Sequence, residues 1–148
     1  MSGRMIVKFW ADDAGYIPQP MTDGAAGLDL RARISGPLNL WTGHAYTIRT
    51  GVHVAIPEGY VGMVCPRSGM SALGIRAGNS PGIIDSDYRG EIAVILKNDT
   101  HEEFTIEPGQ RIAQLLVLPC PVVFPEMADS LEDLGSTERG SGGFGSTG

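Results

Sequence analysis

The chain has 148 residues, 42% of them hydrophobic, and a formal net charge of −6 at pH 7. That length favours a single domain with a buried core, and the acidic balance argues against a protein that binds nucleic acid through a basic face. The sequence shows no signal peptide and no apolar run long enough to span a membrane. We therefore expect a cytoplasmic protein with neither nucleic acid nor a membrane as its partner.

Short apolar runs closed by turn residues recur along the chain, which contains 21 glycines and 10 prolines. No long stretch repeats with the 3.6-residue period of a helix, and only residues 71–74 suggest one or two helical turns. Strands are predicted at 5–10, 28–32, 38–41, 46–49, 52–56, 60–65, 82–84, 91–96, 103–106 and 112–118, and 122–124 is the last apolar run. This pattern indicates an all-β fold, namely a sandwich, a barrel or a jelly roll.

The two cysteines, Cys65 and Cys120, stand in apolar, strand-like surroundings that are typical of buried thiols. The sequence alone leaves a disulfide between them open. The three histidines are scattered, and no Cys/His cluster has the spacing of a zinc site.

Polar residues within the first half of the chain mark two candidate sites. Asp29 is a carboxylate inside an apolar run, which is costly to bury unless it is paired or lies near a cation. It is therefore either a hydrogen-bonded structural residue or part of a charged site. Arg67, Ser68 and Gly69 follow a predicted strand and can open a short helix, where free amides, a hydroxyl and an arginine would bind an anion. The alternative is an ordinary serine N-cap.

Residues 82–96 are predicted to form a β-hairpin whose turn is rich in polar side chains. Asp85, at the end of the first strand, can act as a general base for water. Tyr88, three residues later, can offer a flat face to a sugar or a base. The alternative is an Asx-type turn, in which the aspartate caps backbone amides.

Arg111 and Gln114 interrupt the last long predicted strand. Regular alternation would place Gln110, Ile112 and Gln114 on one face, and Arg111 and Ala113 on the other. A polar amide among leucines suggests a fixed hydrogen-bonding role for Gln114, and the alternative is a polar residue on an edge strand.

From Gly135 onward the composition changes to glycine, serine and threonine, which cannot form a packed core. We therefore divide the chain into a β domain, residues 1–134, and a flexible C-terminal arm, residues 135–148. Backbone amides of such an arm, together with Arg139, can bind phosphate oxygens, and Phe144 can stack on a base. No Walker-type loop is present, so bound phosphates would also call for a hard cation such as Mg²⁺.

Taken together and in order, five segments resemble the five motifs of the trimeric dUTPases, the deoxyuridine triphosphate nucleotidohydrolases. They are residues 26–30, 66–69, 79–90, 109–115 and 139–148. The resemblance spans nearly the whole chain. It implies a distorted jelly roll of the β-clip type, a homotrimer, and three active sites at subunit interfaces, each covered by the arm of another chain.

The resemblance also implies a reaction and a role for each motif residue. The expected reaction is Mg²⁺-assisted, in-line attack of water on the α-phosphorus of dUTP, which gives dUMP and pyrophosphate, keeps uracil out of DNA and supplies dUMP for dTMP synthesis. Asp85 would be the base, and Asp29 would contact Mg²⁺ through water while the triphosphate holds most of the metal. The implied phosphate ligands are Arg67, Ser68, Gly69, Gln114, Arg139, Ser146 and Thr147. The implied uracil and deoxyribose contacts are Asn79, Gly82, Ile84, Tyr88 and Phe144.

Three other interpretations fit parts of the sequence. A dCTP deaminase on the same fold would be expected to carry two serines in the second motif and a catalytic glutamate, whereas this chain has Pro66-Arg67-Ser68-Gly69 and Asp85. A non-catalytic nucleotide-binding module and a capsid-like jelly roll are the other two. Ammonia release from dCTP would identify the first, and the third predicts no nucleotide binding.

Overall fold

The computed structural model describes residues 5–143 and 145, and within them it contains strands, one short α-helix and two 3₁₀ turns. The first half comprises β1 (Lys8–Ala11), β2 (Leu28–Arg31), β3 (Leu38–Leu40), β4 (Ala45–Arg49), β5 (Val52–Ala55) and β6 (Tyr60–Pro66). The second half comprises α1 (Ser68–Ala72), β7 (Ile75–Ala77), β8 (Gly82–Ile84), β9 (Ala93–Asn98), β10 (Phe104–Ile106) and β11 (Arg111–Pro119). The 3₁₀ turns are Ala14–Tyr16 and Glu132–Leu134. The all-β prediction is confirmed, and β7 is the strand that the sequence pattern missed.

The strands form four antiparallel sheets. One has four strands in the order β2-β11-β6-β8, a second has three in the order β4-β9-β7, and β1-β5 and β3-β10 are two-stranded. Because sequence neighbours usually lie in different sheets, the chain crosses repeatedly from one sheet to another. This is the connectivity of a distorted jelly roll, as predicted.

The predicted β8–β9 hairpin is wrong. β8 pairs with β6, whereas β9 pairs with β4 on one side and with β7 on the other. Both edges of β9 are therefore occupied, and no edge remains for β8. The segment between them crosses from one sheet to another, and the polar turn lies at this crossing.

One apolar core joins the sheets. Leu115 and Ile84 from the four-stranded sheet, Leu96 from the three-stranded sheet, Val54 from β5 and Leu40 from β3 are all buried in the same cluster. Burying one such side chain contributes about 1.5–3 kcal/mol. The core therefore holds the edges of the four-stranded sheet, where the candidate site lies, in fixed positions.

Asn98 is a fully buried polar residue at the end of β9. Its Nδ2 donates to the carbonyl oxygens of Leu40 and Glu102, each at 2.8 Å. Its Oδ1 accepts from the backbone N–H of Thr100 at 2.9 Å and from the Thr100 hydroxyl at 2.8 Å. All of its side-chain polar atoms are thus paired, and they tie the loop after β9 to β3.

Asn98→Ala is expected to lower the free energy of unfolding by about 3 kcal/mol, because buried groups left unpaired cost about 1–3 kcal/mol each. Urea denaturation at a fixed protein concentration measures this loss. Asn39→Ala is the control, since exposed Asn39 loses only a bond from Thr105. Equal losses in the two variants would contradict the assignment.

The chain leaves the core after β11. The C-terminal apolar segment, residues 122–134, carries six large apolar side chains that are 65–94% exposed, namely Val122, Val123, Phe124, Met127, Leu131 and Leu134. Cys120 is exposed as well, so the prediction that it is buried is wrong; Cys65 is partly buried, and both thiols are free. Exposure on this scale is typical of a surface that contacts another molecule.

Candidate active site

A cleft of about 530 Å³ brings together three of the five sequence motifs. Its walls come from the loop before β2, from β2 itself, from the start of α1 and from β11. The strand register explains the convergence, because Asp29 in β2 and Cys65 in β6 both lie opposite Gln114 in β11. The lining residues are Met21, Ala25, Ala26, Gly27, Asp29, Arg67, Ser68, Gly69 and Gln114.

Asp29 holds two arginines at the cleft. Arg67 Nε donates to Asp29 Oδ1 at 2.9 Å, and Arg111 Nη1 donates to Oδ2 at 3.3 Å. The Asp29 side chain is only 12% exposed. Two guanidinium groups around one carboxylate leave a surplus of positive charge beside the cleft, which suits a phosphate group.

Arg111 reaches Asp29 because β11 contains a β-bulge. The register of β11 against β2 shifts between Arg111 and Ala113. The predicted regular alternation is therefore wrong: Ile112 and Ala113 are both fully buried, and Arg111 lies on the same face as Gln114. A bulge inserts one extra residue and so re-aims the side chains on one side of it.

The Gln114 amide is fixed across the floor of the cleft. Its Nε2 donates to the carbonyl oxygen of Pro66 at 3.0 Å. A Cβ added at Gly27 would overlap Gln114 Oε1, so glycine at this position lets the backbone approach the amide closely. The fixed hydrogen-bonding role predicted for Gln114 fits this geometry.

Helix α1 begins at Ser68, and Arg67 occupies the N-cap position without a side-chain capping bond. The alternative of a serine N-cap is therefore wrong. Ser68 and Gly69 are exposed and line the cleft. Their side-chain and backbone donors are available to a ligand, because the first amides of a helix have no partner within it.

The turn after β8 presents Asp85 as an exposed carboxylate. The Tyr88 N–H donates to the Asp85 carbonyl oxygen at 3.1 Å, and the Tyr88 hydroxyl donates to the Glu91 carbonyl oxygen at 3.0 Å. A Cβ at Gly90 would overlap the Tyr88 ring, which therefore lies directly on Gly90. His53 Nδ1 donates to the Arg89 carbonyl oxygen at 2.8 Å and ties the turn to β5.

Glu91 anchors the far end of this turn. Its Oε2 accepts from Arg49 Nε at 2.9 Å, and its Oε1 accepts from the Gly51 N–H at 2.7 Å. Burial of the carboxyl opposes ionisation, but the bonds from Arg49 and Gly51 outweigh it. The pKa of Glu91 therefore lies below its ordinary value of 4.5.

A lowered folded-state pKa means that ionised Glu91 stabilises the protein above pH 4.5, and that this contribution disappears as the pH falls through the folded-state value. Glu91→Gln is thus expected to lower the melting temperature by a few degrees at pH 7, and this deficit should shrink as the pH falls below 4.5, as measured by differential scanning fluorimetry. A deficit that stays constant across this range would show that ionisation of Glu91 is irrelevant.

The residues implied for uracil and deoxyribose lie around β8. Gly82 and Ile84 are buried, while Asn79 and Tyr88 are exposed. A Cβ at Gly82 would lie 3.2 Å from Asn79 Nδ2, so the Asn79 amide lies against this strand. β8 is the edge strand of its sheet, so backbone groups on its outer side are available for a flat ligand.

Within one chain, Asp85 does not meet the cleft. Asp85 follows Ile84, which pairs with Gly62, whereas Arg67 lies five residues beyond Gly62 past the end of β6. At about 3.3 Å per residue, this separates the two by roughly 16 Å or more. Residues 79–90 do not line the cleft either.

In the arm, Arg139 is exposed and its Nε donates to the Gly142 carbonyl oxygen at 2.8 Å. Phe144, Ser146 and Thr147 lie outside the described residues, so their predicted roles stay predictions.

Sequence reasoning assigned no site role to three residues near these sites. Met21, which lines the cleft, sits in a turn-rich stretch without a recognisable signal. His53 meets the Asp85 turn across 36 residues of sequence, and Arg111 depends on the bulge. Pairing between distant strands placed the last two, and no local pattern reports such pairing.

In the part of the chain that the structure describes, no three His, Cys, Asp or Glu side chains cluster as a metal site would require. Over the same residues, no helix has the length and apolar character needed to cross a bilayer.

Comparison with known proteins gives one consistent result. A model of the dUTPase family matches residues 13–148. The deoxyuridine 5'-triphosphate nucleotidohydrolase of Chlamydia pneumoniae is 51% identical over 138 residues, which cover 93% of this chain and 94% of that protein. That of Roseobacter denitrificans is 48% identical over 144 residues, or 94% and 93% of the two chains.

Among solved structures, a mutant dUTPase of Staphylococcus bacteriophage 80alpha with dUpNHpp superposes with a TM-score of 0.78 at 27% identity. The match covers 97% of this chain and 98% of the phage protein. Both the sequence and the fold that carry the cleft therefore match one enzyme family over nearly the whole chain. The chain belongs to the dUTPase family.

Proposed function

We propose that the chain hydrolyses dUTP to dUMP and pyrophosphate. The observation that carries this proposal is the cleft, where Arg67, Ser68, Gly69 and Gln114 converge on a surplus of positive charge beside Asp29. Curated relatives of about half-identical sequence are named for this reaction. The cleft residues would hold the α- and β-phosphates through charge-assisted hydrogen bonds.

Asp85 is proposed as the general base. An exposed carboxylate can accept a proton from a water molecule held between it and the α-phosphorus. The backbone of the turn that carries Asp85 is held by bonds from Tyr88 and His53, so the position of this residue is set before the substrate binds. The water attacks in line, its proton passes to Asp85, and pyrophosphate leaves.

The donor set of this chain fits Mg²⁺ that arrives with the substrate. Mg²⁺ usually takes one or two carboxylates, several waters and substrate phosphates rather than a cage of protein ligands, and Asp29 is the carboxylate that lines the cleft. Both Asp29 oxygens already accept from arginines, which favours contact with the metal through water. When bound, Mg²⁺ would neutralise phosphate charge.

Selection of the base and sugar is proposed to lie on the edge strand β8. Backbone groups near Gly82 and Ile84, with the Asn79 amide, would pair with the edge of uracil. A cytosine would leave these groups unpaired, since its donors and acceptors are inverted. Tyr88, resting on Gly90, would pack against the deoxyribose and exclude a 2′-hydroxyl.

A homotrimer with shared sites is proposed, because Asp85 and the cleft lie far apart within a single chain. The outward side chains of the four-stranded sheet include Val61, Met63, Ile83, Leu116 and Leu118, of which Ile83 is 56% exposed. This apolar face runs up to Gln114 at the cleft. A second chain packed there would bring its own Asp85 to the cleft, and the C-terminal apolar segment would find cover on a neighbour.

The arm, residues 135–148, is proposed to cover the site of another subunit, with 1–134 as the β domain. Arg139, Ser146 and Thr147 would bind the γ-phosphate, and Phe144 would stack on uracil. A covering arm excludes water other than the attacking one.

The activity test is pyrophosphate release in Mg²⁺ buffer from dUTP, with dCTP, dTTP and UTP each assayed as an alternative substrate. Light scattering measures the number of chains in the assembly. Release from dUTP alone by a particle of three chains is the expected result. Equal rates on dCTP would contradict the role proposed for β8 in selecting the base. Equal rates on UTP would contradict the role proposed for Tyr88 in excluding a 2′-hydroxyl. Activity in a monomer would contradict shared sites.

A further inference from the structure

Arg111 contacts Asp29 of the cleft, and none of the proposed roles has been assigned to it. The bulge between Arg111 and Ala113 turns its side chain onto the face of Asp29 and Gln114. Arg111 itself does not line the cleft. Its link to the cleft is through Asp29, which does line the cleft.

Asp29 is shared between Arg111 and Arg67. Each arginine donates to a different carboxylate oxygen, Arg67 Nε to Oδ1 and Arg111 Nη1 to Oδ2. Among the described residues, the two terminal nitrogens of Arg67 have no hydrogen-bond partner. They therefore remain available to a ligand. The direction of the Arg67 guanidinium thus depends on the position of the Asp29 carboxylate, because the fork of an arginine is rigid.

Arg111 also limits how Arg67 can pair with Asp29. With Arg67 alone, the carboxylate would offer both oxygens to one guanidinium, and a bidentate pair would withdraw a terminal nitrogen from the phosphates. Arg111 occupies one oxygen and so limits Arg67 to its Nε contact. It also offsets the charge of Asp29, which would otherwise repel the polyphosphate.

We propose that Arg111 is a positioning residue for the phosphate cleft: it holds Asp29, and through Asp29 it directs Arg67 toward the phosphates of the substrate. This inference rests on the proposed function. The bulge in β11 then has a functional role, because it brings a second arginine to Asp29.

A double-mutant cycle tests the proposal, with binding of dUpNHpp and of dUMP measured by calorimetry for Arg111→Gln, Asp29→Asn and the double variant. Arg111→Gln is expected to weaken dUpNHpp binding about tenfold, the scale of one charge-assisted hydrogen bond. Binding of dUMP, which keeps only the α-phosphate, should weaken less than binding of dUpNHpp. In the Asp29→Asn background, Arg111→Gln should have no further effect.

Two more variants separate positioning from loss of structure. Arg111→Lys should retain most of the affinity, because a single donor to Oδ2 is enough, and Arg111→Met keeps the aliphatic stem should Arg111→Gln fail to fold. Arg76→Gln is the matched control, since it removes an arginine–carboxylate pair with Asp99 away from the cleft and should bind dUpNHpp like the wild type.

Unchanged dUpNHpp binding in Arg111→Gln and Arg111→Met would overturn the inference. Additive losses in the cycle would also overturn it, because they would mean that Arg111 acts on the ligand independently of Asp29. Failure of the wild type to bind dUpNHpp would instead refute the proposed function.

Discussion

Asp85→Asn is expected to bind dUpNHpp like the wild type and to hydrolyse dUTP about 10²–10⁴ times more slowly, which is the usual contribution of a general base. The amide keeps the size and the hydrogen-bonding reach of the carboxylate but cannot accept the proton of the attacking water. Asp85 is exposed and its side chain belongs to no core contact, so the fold should not change. Pyrophosphate release under single-turnover conditions measures the chemical step directly.

Asp87→Asn is the matched control for this prediction. Asp87 is exposed in the same turn, two residues from Asp85, and it has no proposed contact with the substrate. A loss in Asp87→Asn as large as in Asp85→Asn would assign the effect to the charge of the turn rather than to a specific base. A fully active Asp85→Asn would remove Asp85 from the mechanism.

Truncation after Gly135 is the second change expected to have a large effect. The shortened chain should keep its melting temperature, because none of the residues beyond 135 that the structure describes belongs to the apolar core. Its kcat should fall by about 10²–10³, the typical loss when one donor to a developing charge is removed. Arg139→Ala should account for most of that loss, since Arg139 is the proposed γ-phosphate ligand with a full positive charge.

Glu138→Ala, one residue away and equally exposed, is the control for Arg139→Ala. The readouts are kcat from pyrophosphate release and thermal melting by circular dichroism. A truncated chain with wild-type kcat would mean that the arm does not cover the site. A truncated chain that melts early would instead place the arm in the stability of the assembly.

The motifs could be recognised in the sequence because each is a short run whose chemistry is local. Arg67, Ser68 and Gly69 are adjacent along the chain, and the polar turn that carries Asp85 is bounded by apolar runs. Strand positions were predictable for the same reason, since apolar residues closed by turn residues recur at strand length. The all-β class followed from these local patterns.

The predicted hairpin failed because strand pairing is not local. β8 and β9 are joined by a short turn, yet β4 and β7 occupy both edges of β9 and β6 takes β8. The bulge at Arg111 was equally invisible, because one extra residue in a strand changes no composition. Only the register against β2 shows that Arg111 shares a face with Gln114.

By itself, then, the sequence determined the strand-rich class, the family motifs and the chemical groups available for binding phosphate. The tertiary structure decided which of those groups meet: Asp29 with two arginines, and Gln114 with the end of β6. It also decided that Asp85 lies far from that cleft within one chain. The physical reason is that side-chain chemistry is a property of each residue, whereas the meeting of residues depends on pairing and packing between segments distant in sequence.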